Sequence, residues 1–480
     1  MSAPMTVRFA PSPTGPPHLG NLRTALVDWL VARAQGGRFI VRVEDTDQER
    51  LDPTAEAAML DALRWLGLDW DEGPDIGGPR GPYRQSERLD TYRLIAGQLI
   101  EQGHAYRCDC SPERLEIVQQ RLRAQGRSQV YDNHCRDLNI GPTDTPHVVR
   151  LKMPAEGGVA FHDVVHGEIA FEYGKLAGDI VLMKSDGFPT YHLAVVADDH
   201  AMEVTHVIRG DEWIPSTPIH IRLFEALGWE IPTFVHLPLV TDKQGKKIKK
   251  REPSFQASVY REAGYLPDAV ANALALLGWN PGTTDEVFTL EELVSRFTLD
   301  RISKSPAIFD EDRLRWFARQ HMARLSLDQL AERAIPLINA AYPQAAERGR
   351  DWLTQLIGAV REELVALNDV VGAVRFAFDD GDLTEEARAA LHSESSPTVL
   401  AALRDRLVAT TLLDAEMASS LFKTLRADFK QSHGWNAQAV MFPLRAALTG
   451  MTTGPHLSDV ATLLGKDESL RRVEKALSLL

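Results

Sequence analysis

Residues 7–21, Val-Arg-Phe-Ala-Pro-Ser-Pro-Thr-Gly-Pro-Pro-His-Leu-Gly-Asn, constrain this chain more than any other stretch. Val7 and Phe9 are strand formers on alternate positions. Four prolines (11, 13, 16, 17) and two glycines (15, 20) then forbid regular structure. From Leu22 the apolar residues fall at 22, 25, 26, 29 and 30, which is helical spacing. The stretch therefore predicts a strand, a tight turn and a helix. Such a turn aims backbone N–H groups at whatever sits above it, and phosphate is the usual guest. His18 and Asn21 lie three apart where the helix begins, so both can face one ligand. The chain has neither G-x-x-x-x-G-K-[ST] nor G-x-G-x-x-G, so the common phosphate-loop chemistries are excluded.

A second strand and its acidic end build on this start. Helix 22–35 is expected to close at Gly36-Gly37, and Phe39–Val43 reads as a buried parallel strand. Strand, helix and strand in about 37 residues make a βαβ unit, whose ligands sit beyond the carboxyl ends of the strands. Ser12, His18 and Glu44 would lie at that edge. Asp47, further out, reads as part of a solvated turn. Asp52-Pro53-Thr54 is expected to cap a helix running to about Leu66, and another amphipathic helix ends near Gly103. Residues 105–189 look like an insertion, with three cysteines, a basic helical segment (113–127) and a β run at 147–151. The α/β pattern resumes at 180–182 and 189–192. It continues through 204–209, Trp213 and a helix over 216–228. After about 320 the chain is nearly all helical.

At 480 residues the chain has room for three or more domains of roughly 100–200 residues each. The net charge of −14 argues against a nucleic-acid binder, but whole-chain charge describes only the average field. Lys246-Lys247-Ile248-Lys249-Lys250-Arg251 gathers five positive charges in six residues, and RNA would have to use such local patches. There is no apolar run long enough to span a membrane and no basic-then-apolar leader at the N-terminus. Cys108, Cys110 and Cys135 are too few for a disulfide scaffold, so a cytoplasmic protein is expected.

Pro11–Asn21 resembles the HIGH region of class I aminoacyl-tRNA synthetases, and the form PSPTG-x-x-H-x-G resembles the glutamyl-tRNA synthetases. Lys247–Arg251 resembles that family's KMSKS loop, written K-[LI]-S-K-R, with Lys249 standing where the family has Ser. A loop of lysines over a nucleotide neutralises charge that develops as pyrophosphate leaves, worth about 10²–10³ in rate per group. The preceding His236–Val240 resembles the family's adenine-side strand. Arg209-Gly210-Asp211-Glu212-Trp213 resembles its R-[AG]-[ED]-E-W. Val195 stands where many relatives carry Asn.

The resemblance implies His18, Asn21, Lys247 and Lys250 as catalytic residues. It implies Arg8, Ser12, Glu44, Tyr191 and Arg209 around glutamate, and His18, Gly20, Asn21, Glu212, Leu237 and Lys250 around ATP with Mg²⁺. Cys108-x-Cys110-x24-Cys135-x-Asp137 resembles a zinc-binding C-x-C-x24-C-x-H of some relatives, with Asp137 in the last place and His134 as a second candidate. Arg301-Ile302-Ser303-Lys304-Ser305 also spells I-S-K-S, but it follows a helix rather than the sheet and reads as a structural turn. Phe442–Gly450 resembles the helical anticodon-binding domains, and Arg361 is a candidate anticodon-reading arginine.

The expected fold is a Rossmann-like α/β class I synthetase catalytic domain (1–104 and 190–241) with an inserted α+β acceptor-binding domain (105–189). A stem-contact domain carrying the KMSKS-like loop (242–322) and an all-α anticodon-binding region (323–480) would follow. The implied activity is ATP-dependent ligation of glutamate to tRNA(Glu) by a monomer without a membrane partner. Three alternatives stay open here: a truncated paralogue that modifies tRNA(Asp), a glutaminyl enzyme, and a non-catalytic RNA-binding module on the same fold. The helical region after 320 speaks against the first two, and His18, Asn21, Glu44, Arg209 and Lys250 against the third. Whether tRNA(Gln) is also charged is not legible in the sequence.

Overall fold

The computed structural model describes residues 4–126, 131–142, 146–176, 178–248, 252, 255–379 and 382–480. The chain divides into two compact units, Met1–Val259 with Val270–Glu311, and Tyr260–Ala269 with Asp312–Leu480.

The first unit opens with β1 (Thr6–Phe9), α1 (Leu19–Ala34), β2 (Arg38–Val41), α2 (Ala55–Trp65) and α3 (Leu89–Glu101). Strands β1 and β2 pair in parallel with Val7 opposite Phe39, so the expected βαβ unit is present. Main-chain bonds continue that pairing to Glu44, whose N–H donates to Pro11 O at 2.9 Å. Helix α1 starts three residues before the predicted Leu22. It is buried nearly all round, Arg23 and Asp28 included, rather than along one stripe. Asp52 does not cap α2: its carboxylate accepts from the N–H and hydroxyl of Thr54 in a local turn. Asp47 sits in an exposed pair with Arg50, as expected of a solvated turn.

The chain continues with β3 (Ala105–Cys108), α4 (Pro112–Ala124), β4 (Val148–Leu151), β5 (Gly158–Asp163), β6 (Gly167–Glu172) and β7 (Val181–Met183). Strands β3, β4 and β7 form one antiparallel sheet. The β5–β6 hairpin does not belong to it. Next come α5 (Tyr191–Ala201), β8 (His206–Gly210), α6 (Thr217–Leu227) and β9 (Thr233–Leu237), and the hairpin joins these strands in the order β6-β5-β9-β8. Strand β8 runs parallel to β9 with Ile208 opposite Val235, and β5 meets β9 at Asp163 and Phe234. Thr205 N–H donates to Thr6 O at 2.9 Å, which ties the start of β8 to β1. The carboxyl ends of β1, β2, β8 and β9 thus carry Pro11, Glu44, Arg209 and Leu237.

The remainder of the unit holds β10 (Val240–Thr241), α9 (Leu290–Arg296) and β11 (Ala307–Ile308), with α7 (Ala257–Ala263) and α8 (Pro267–Ala275) spanning the changes of unit. The I-S-K-S segment is a structural turn, as expected: Ser303 N–H donates to Gly278 O at 2.8 Å, and Ile302 is buried beside Trp279.

The second unit is helical from α10 (Glu311–Arg324) to α18 (Leu457–Leu477), around one apolar core that includes Leu330, Leu356, Leu403, Leu444 and Val460. Arg361 caps the C-terminal end of α10, with its guanidinium donating to the carbonyls of Ala323 and Leu325. Among the described residues no helix is long and apolar enough to cross a membrane.

Candidate active site

His18 is the N-cap of α1. Asn21 N–H donates to His18 Nδ1 at 3.2 Å, and His18 N–H donates to Asn21 Oδ1 at 3.4 Å, a reciprocal capping box. Because Nδ1 accepts, the proton of the neutral ring sits on Nε2. Cap and imidazole are thereby one device at the positive end of a helix. The ring stacks on Phe255 at 5.6 Å. A Cβ on Gly20 would come within 3.0 Å of His18 Nδ1 and 3.3 Å of Phe255, so a side chain there would crowd both rings. Ala257 N–H donates to Pro17 O at 3.3 Å, and His18 bridges to Gln256. The residues just beyond the basic loop are thus joined to the Pro-rich turn.

Lys247 Nζ stands 3.7 Å from Glu212 Oε1, both largely exposed, so two residues expected at the ATP face each other. Glu212 folds back over Gly210, where a Cβ would lie 2.1 Å from its Oε2. Buried Leu237 ends β9 and is followed by Pro238, whose carbonyl accepts from Arg23 at 2.7 Å. Burial pushes the Arg23 guanidinium down to about 10. Ser12 is exposed on the turn. Lys249, Lys250 and Arg251 lie outside the described residues.

The two arginines expected to hold glutamate have different surroundings. Arg8 is buried and paired: its Nε donates to Asp199 Oδ1 at 2.9 Å, and Arg42 donates to the same oxygen at 2.8 Å. Burial opposes the Asp199 charge, but the two guanidiniums hold its carboxyl below the usual range. Arg42 also donates to Glu44 at 3.1 Å, and burial pushes the Glu44 carboxyl up despite that partner.

Arg209 is equally buried, at 6% exposure, yet among the described residues it has no carboxylate within 4 Å. Its partners are neutral: His236 Nε2 at 3.1 Å, His220 Nδ1 at 3.0 Å, Thr217 Oγ1 at 2.9 Å, the Tyr191 hydroxyl at 3.3 Å and Trp213 O at 3.5 Å. Burial lowers its pKa from the ordinary value. Tyr191 is packed on Trp213 at 4.3 Å, and burial raises its hydroxyl pKa, with Arg209, Glu44 and Arg8 all acting on it. Arg8, Glu44, Tyr191 and Arg209 are thus brought to one place, and Arg209 is a buried positive charge whose hydrogen-bond partners are neutral. Sequence reasoning missed the histidines around it, although His236 stood at the head of a stretch already singled out.

The three cysteine sulfurs lie within 4.8 Å of one another. Asp137, expected in fourth place, is exposed and does not join them. Main-chain bonds at Arg136 and Leu138 coil this segment into tight turns that carry Asp137 away. The fourth position is taken by the Tyr131 hydroxyl, 3.4 Å from Cys108 Sγ and 3.8 Å from Cys110 Sγ, which also accepts from Cys135 N–H at 2.8 Å. Burial pushes the Cys135 thiol up to about 12. The Tyr131 bond holds the Cys108 thiol below its ordinary value against the effect of burial.

The parallel pairs β1–β2 and β8–β9, with the capped turn at 11–21 at one strand end and Arg209 buried at another, fit the catalytic domain of a class I aminoacyl-tRNA synthetase. The family description "tRNA synthetases class I (E and Q), catalytic domain" matches residues 4–316, and "Anticodon binding domain" matches 329–477. The glutamate–tRNA ligase of Desulforamulus reducens is 41% identical over 484 residues, spanning 98% of this chain and 99% of its own. That of Carboxydothermus hydrogenoformans is 42% identical, spanning 97% and 98%. The crystal structure of a glutamate tRNA ligase from Elizabethkingia meningosepticum in complex with its amino acid superposes with a TM-score of 0.87 at 33% identity, over all of both chains. The chain belongs to the glutamate–tRNA ligase family.

Proposed function

We infer that the chain joins L-glutamate to the 3′-terminal adenosine of tRNA(Glu) in two steps. A glutamate carboxylate oxygen first attacks the α-phosphate of ATP, giving glutamyl-adenylate and pyrophosphate. A ribose hydroxyl of the tRNA then takes the acyl group and releases AMP. The observation that carries this reading is Arg209, a buried guanidinium with neutral partners at the strand ends where class I ligands bind. A buried cation in such surroundings is stabilised by an incoming carboxylate, and glutamate has one on its side chain.

Glu44 and the Tyr191 hydroxyl complete the amino-acid pocket, with Ser12 at its rim. Arg8 acts mainly by holding Asp199. His18 Nε2–H and the first N–H groups of α1 face the triphosphate, with Asn21 fixing the imidazole, Gly20 giving it room, and Glu212 and Leu237 on the nucleoside side. Magnesium accompanies the ATP. Lys247 and Lys250 supply charge as pyrophosphate departs. Catalysis is positioning and electrostatics without a covalent protein nucleophile. The 105–189 segment meets the acceptor end of the tRNA, 242–322 its stem and 323–480 its anticodon, in a cytoplasmic monomer.

Cys108, Cys110, Cys135 and Tyr131 have the count and convergence for one Zn²⁺, which would brace this segment as a structural ion. The first test is ATP–pyrophosphate exchange with glutamate, with and without tRNA(Glu). Exchange that needs the tRNA is expected, because five neighbouring positive charges in the basic loop repel one another until a tRNA backbone supplies anions. Robust exchange without tRNA contradicts that order of events, and none with tRNA contradicts the activity.

A further inference from the structure

An arginine only donates hydrogen bonds, so every group on Arg209 has a defined state. His236 Nε2, 3.1 Å from Arg209 Nε, must present a lone pair, which leaves the ring proton on Nδ1. Nδ1 lies 2.7 Å from Asp163 Oδ2, which accepts that proton's bond. Asp163 is fully buried and firmly held: Oδ1 accepts from the N–H groups of Val165 at 3.0 Å and His166 at 2.8 Å, and Oδ2 also accepts from His236 N–H at 3.1 Å. Burial, helped by the Arg209 charge, holds the His236 pKa below its ordinary value despite Asp163, in keeping with the lone pair that Nε2 presents to the guanidinium.

On the other side, His220 Nδ1 and Thr217 Oγ1 accept from the terminal nitrogens at 3.0 and 2.9 Å. The longest contacts, to the Tyr191 hydroxyl and Trp213 O, mark where an incoming carboxylate can take over donors.

We propose that Asp163 and His236 are positioning residues that orient Arg209 for the glutamate side chain. The inference rests on the reading of the chain as a glutamate–tRNA ligase. Asp163 sets the imidazole tautomer, and His236 then holds the guanidinium by Nε, so that each terminal nitrogen keeps one short bond, to His220 or Thr217, and offers substrate the donor of its longer one, to the Tyr191 hydroxyl or Trp213 O. The same logic governs an imidazole whose second nitrogen is pinned by a buried carboxylate in hydrolases. Asp163 ends β5, where the hairpin of the 105–189 segment joins β9. The cation of the pocket is therefore set by a strand that arrives from outside the βαβ core.

The test measures kcat and KM for glutamate and for ATP on the full chain with tRNA(Glu), in the parent and in D163N, H236F and H236Q. The amide in D163N keeps an oxygen for the 165 and 166 N–H groups but turns an N–H toward His236. That drives the ring proton to Nε2, against Arg209. D163N and H236F are expected to raise the glutamate KM about 10- to 100-fold with the ATP KM unchanged. H236Q, whose amide oxygen can accept from Arg209 Nε, is expected to recover most of the loss.

Parental glutamate KM in D163N overturns the proposal, as does H236Q as impaired as H236F, or glutamate and ATP constants rising together. D163N preserves shape, so a failure of H236F to fold leaves the comparison of D163N with H236Q decisive. A parent that charges tRNA while D163N is unaffected contradicts this pair alone. A parent that forms no glutamyl-tRNA removes the functional reading and the pair's role with it.

Discussion

Arg8 and Arg209 stand in the sequence as two equivalent arginines on flanking strands, and their environments separate them. Arg8 neutralises Asp199, so Arg8→Ala leaves that buried carboxylate with Arg42 alone and is expected to lower stability by about 3–5 kcal/mol. Arg209→Ala instead removes the free charge of the pocket and is expected to weaken glutamate binding by about 2–5 kcal/mol. Thermal unfolding of the first variant and calorimetric glutamate titration of the second check the contrast, and glutamate binding unchanged in Arg209→Ala would assign the carboxylate to another cation. The histidines make a separate prediction. Burial, and then Arg209, push His192 down to about 4 and His220 well below its ordinary 6.5. Both are neutral in the folded chain between about pH 4 and 6.5, while the unfolded chain binds protons there. Stability therefore falls as pH drops through that window. Urea midpoints at pH 7 and pH 5 should show the loss, and His192→Asn should lessen it. The motif at 209–213 announced Arg209 in the sequence. The partners 191 residues after Arg8 and 27 residues after Arg209 were invisible, because side-chain pairing across a sheet leaves no local pattern.

At the scale of elements, the start of α1 was read three residues late because histidine is not among the common N-caps. Its capping box is closed by the same residue proposed to face the nucleotide, so two functions can be separated by substitution. His18→Ala and His18→Asn should both lose most adenylate formation. His18→Asn should retain the cap and be more stable by about 1 kcal/mol. Equal unfolding midpoints for the two would show that the cap contributes nothing. Strands β1, β2 and β8 were legible as apolar β runs, whereas β9 (Thr233–Leu237) begins three residues before the 236–240 run read as a strand. The docking of the β5–β6 hairpin on β9 was not legible, because the pairing joins residues about 70 positions apart. In the cysteine segment the three thiols were legible by spacing, but Tyr131 was not, since tyrosine is outside the usual zinc ligand set. Elemental analysis of protein purified without added metal should give one zinc per chain. Cys108→Ser should lose it, and Asp137→Ala should keep it. A metal-free parent with full charging activity would make the cluster a structural thiol–tyrosine core only.

At the scale of the molecule, a chain of net charge −14 must bind an anionic polymer through local basic surface such as residues 246–251. Its affinity for tRNA should fall linearly in log–log terms as salt rises. The helical second unit was legible from its Ala- and Leu-rich periodicity. The hydrogen bonds of Arg361 to main-chain carbonyls were not, because they depend on where the chain returns. The most direct measurement is aminoacylation itself: the full chain, ATP and Mg²⁺ with labelled glutamate, scored on purified tRNA(Glu) and tRNA(Gln). The account predicts a base-labile glutamyl ester on the 3′ end of tRNA(Glu), none with labelled glutamine, and loss of the product in Arg209→Ala. Absence of glutamyl-tRNA(Glu) from the parent chain, or full activity in Arg209→Ala, would contradict it.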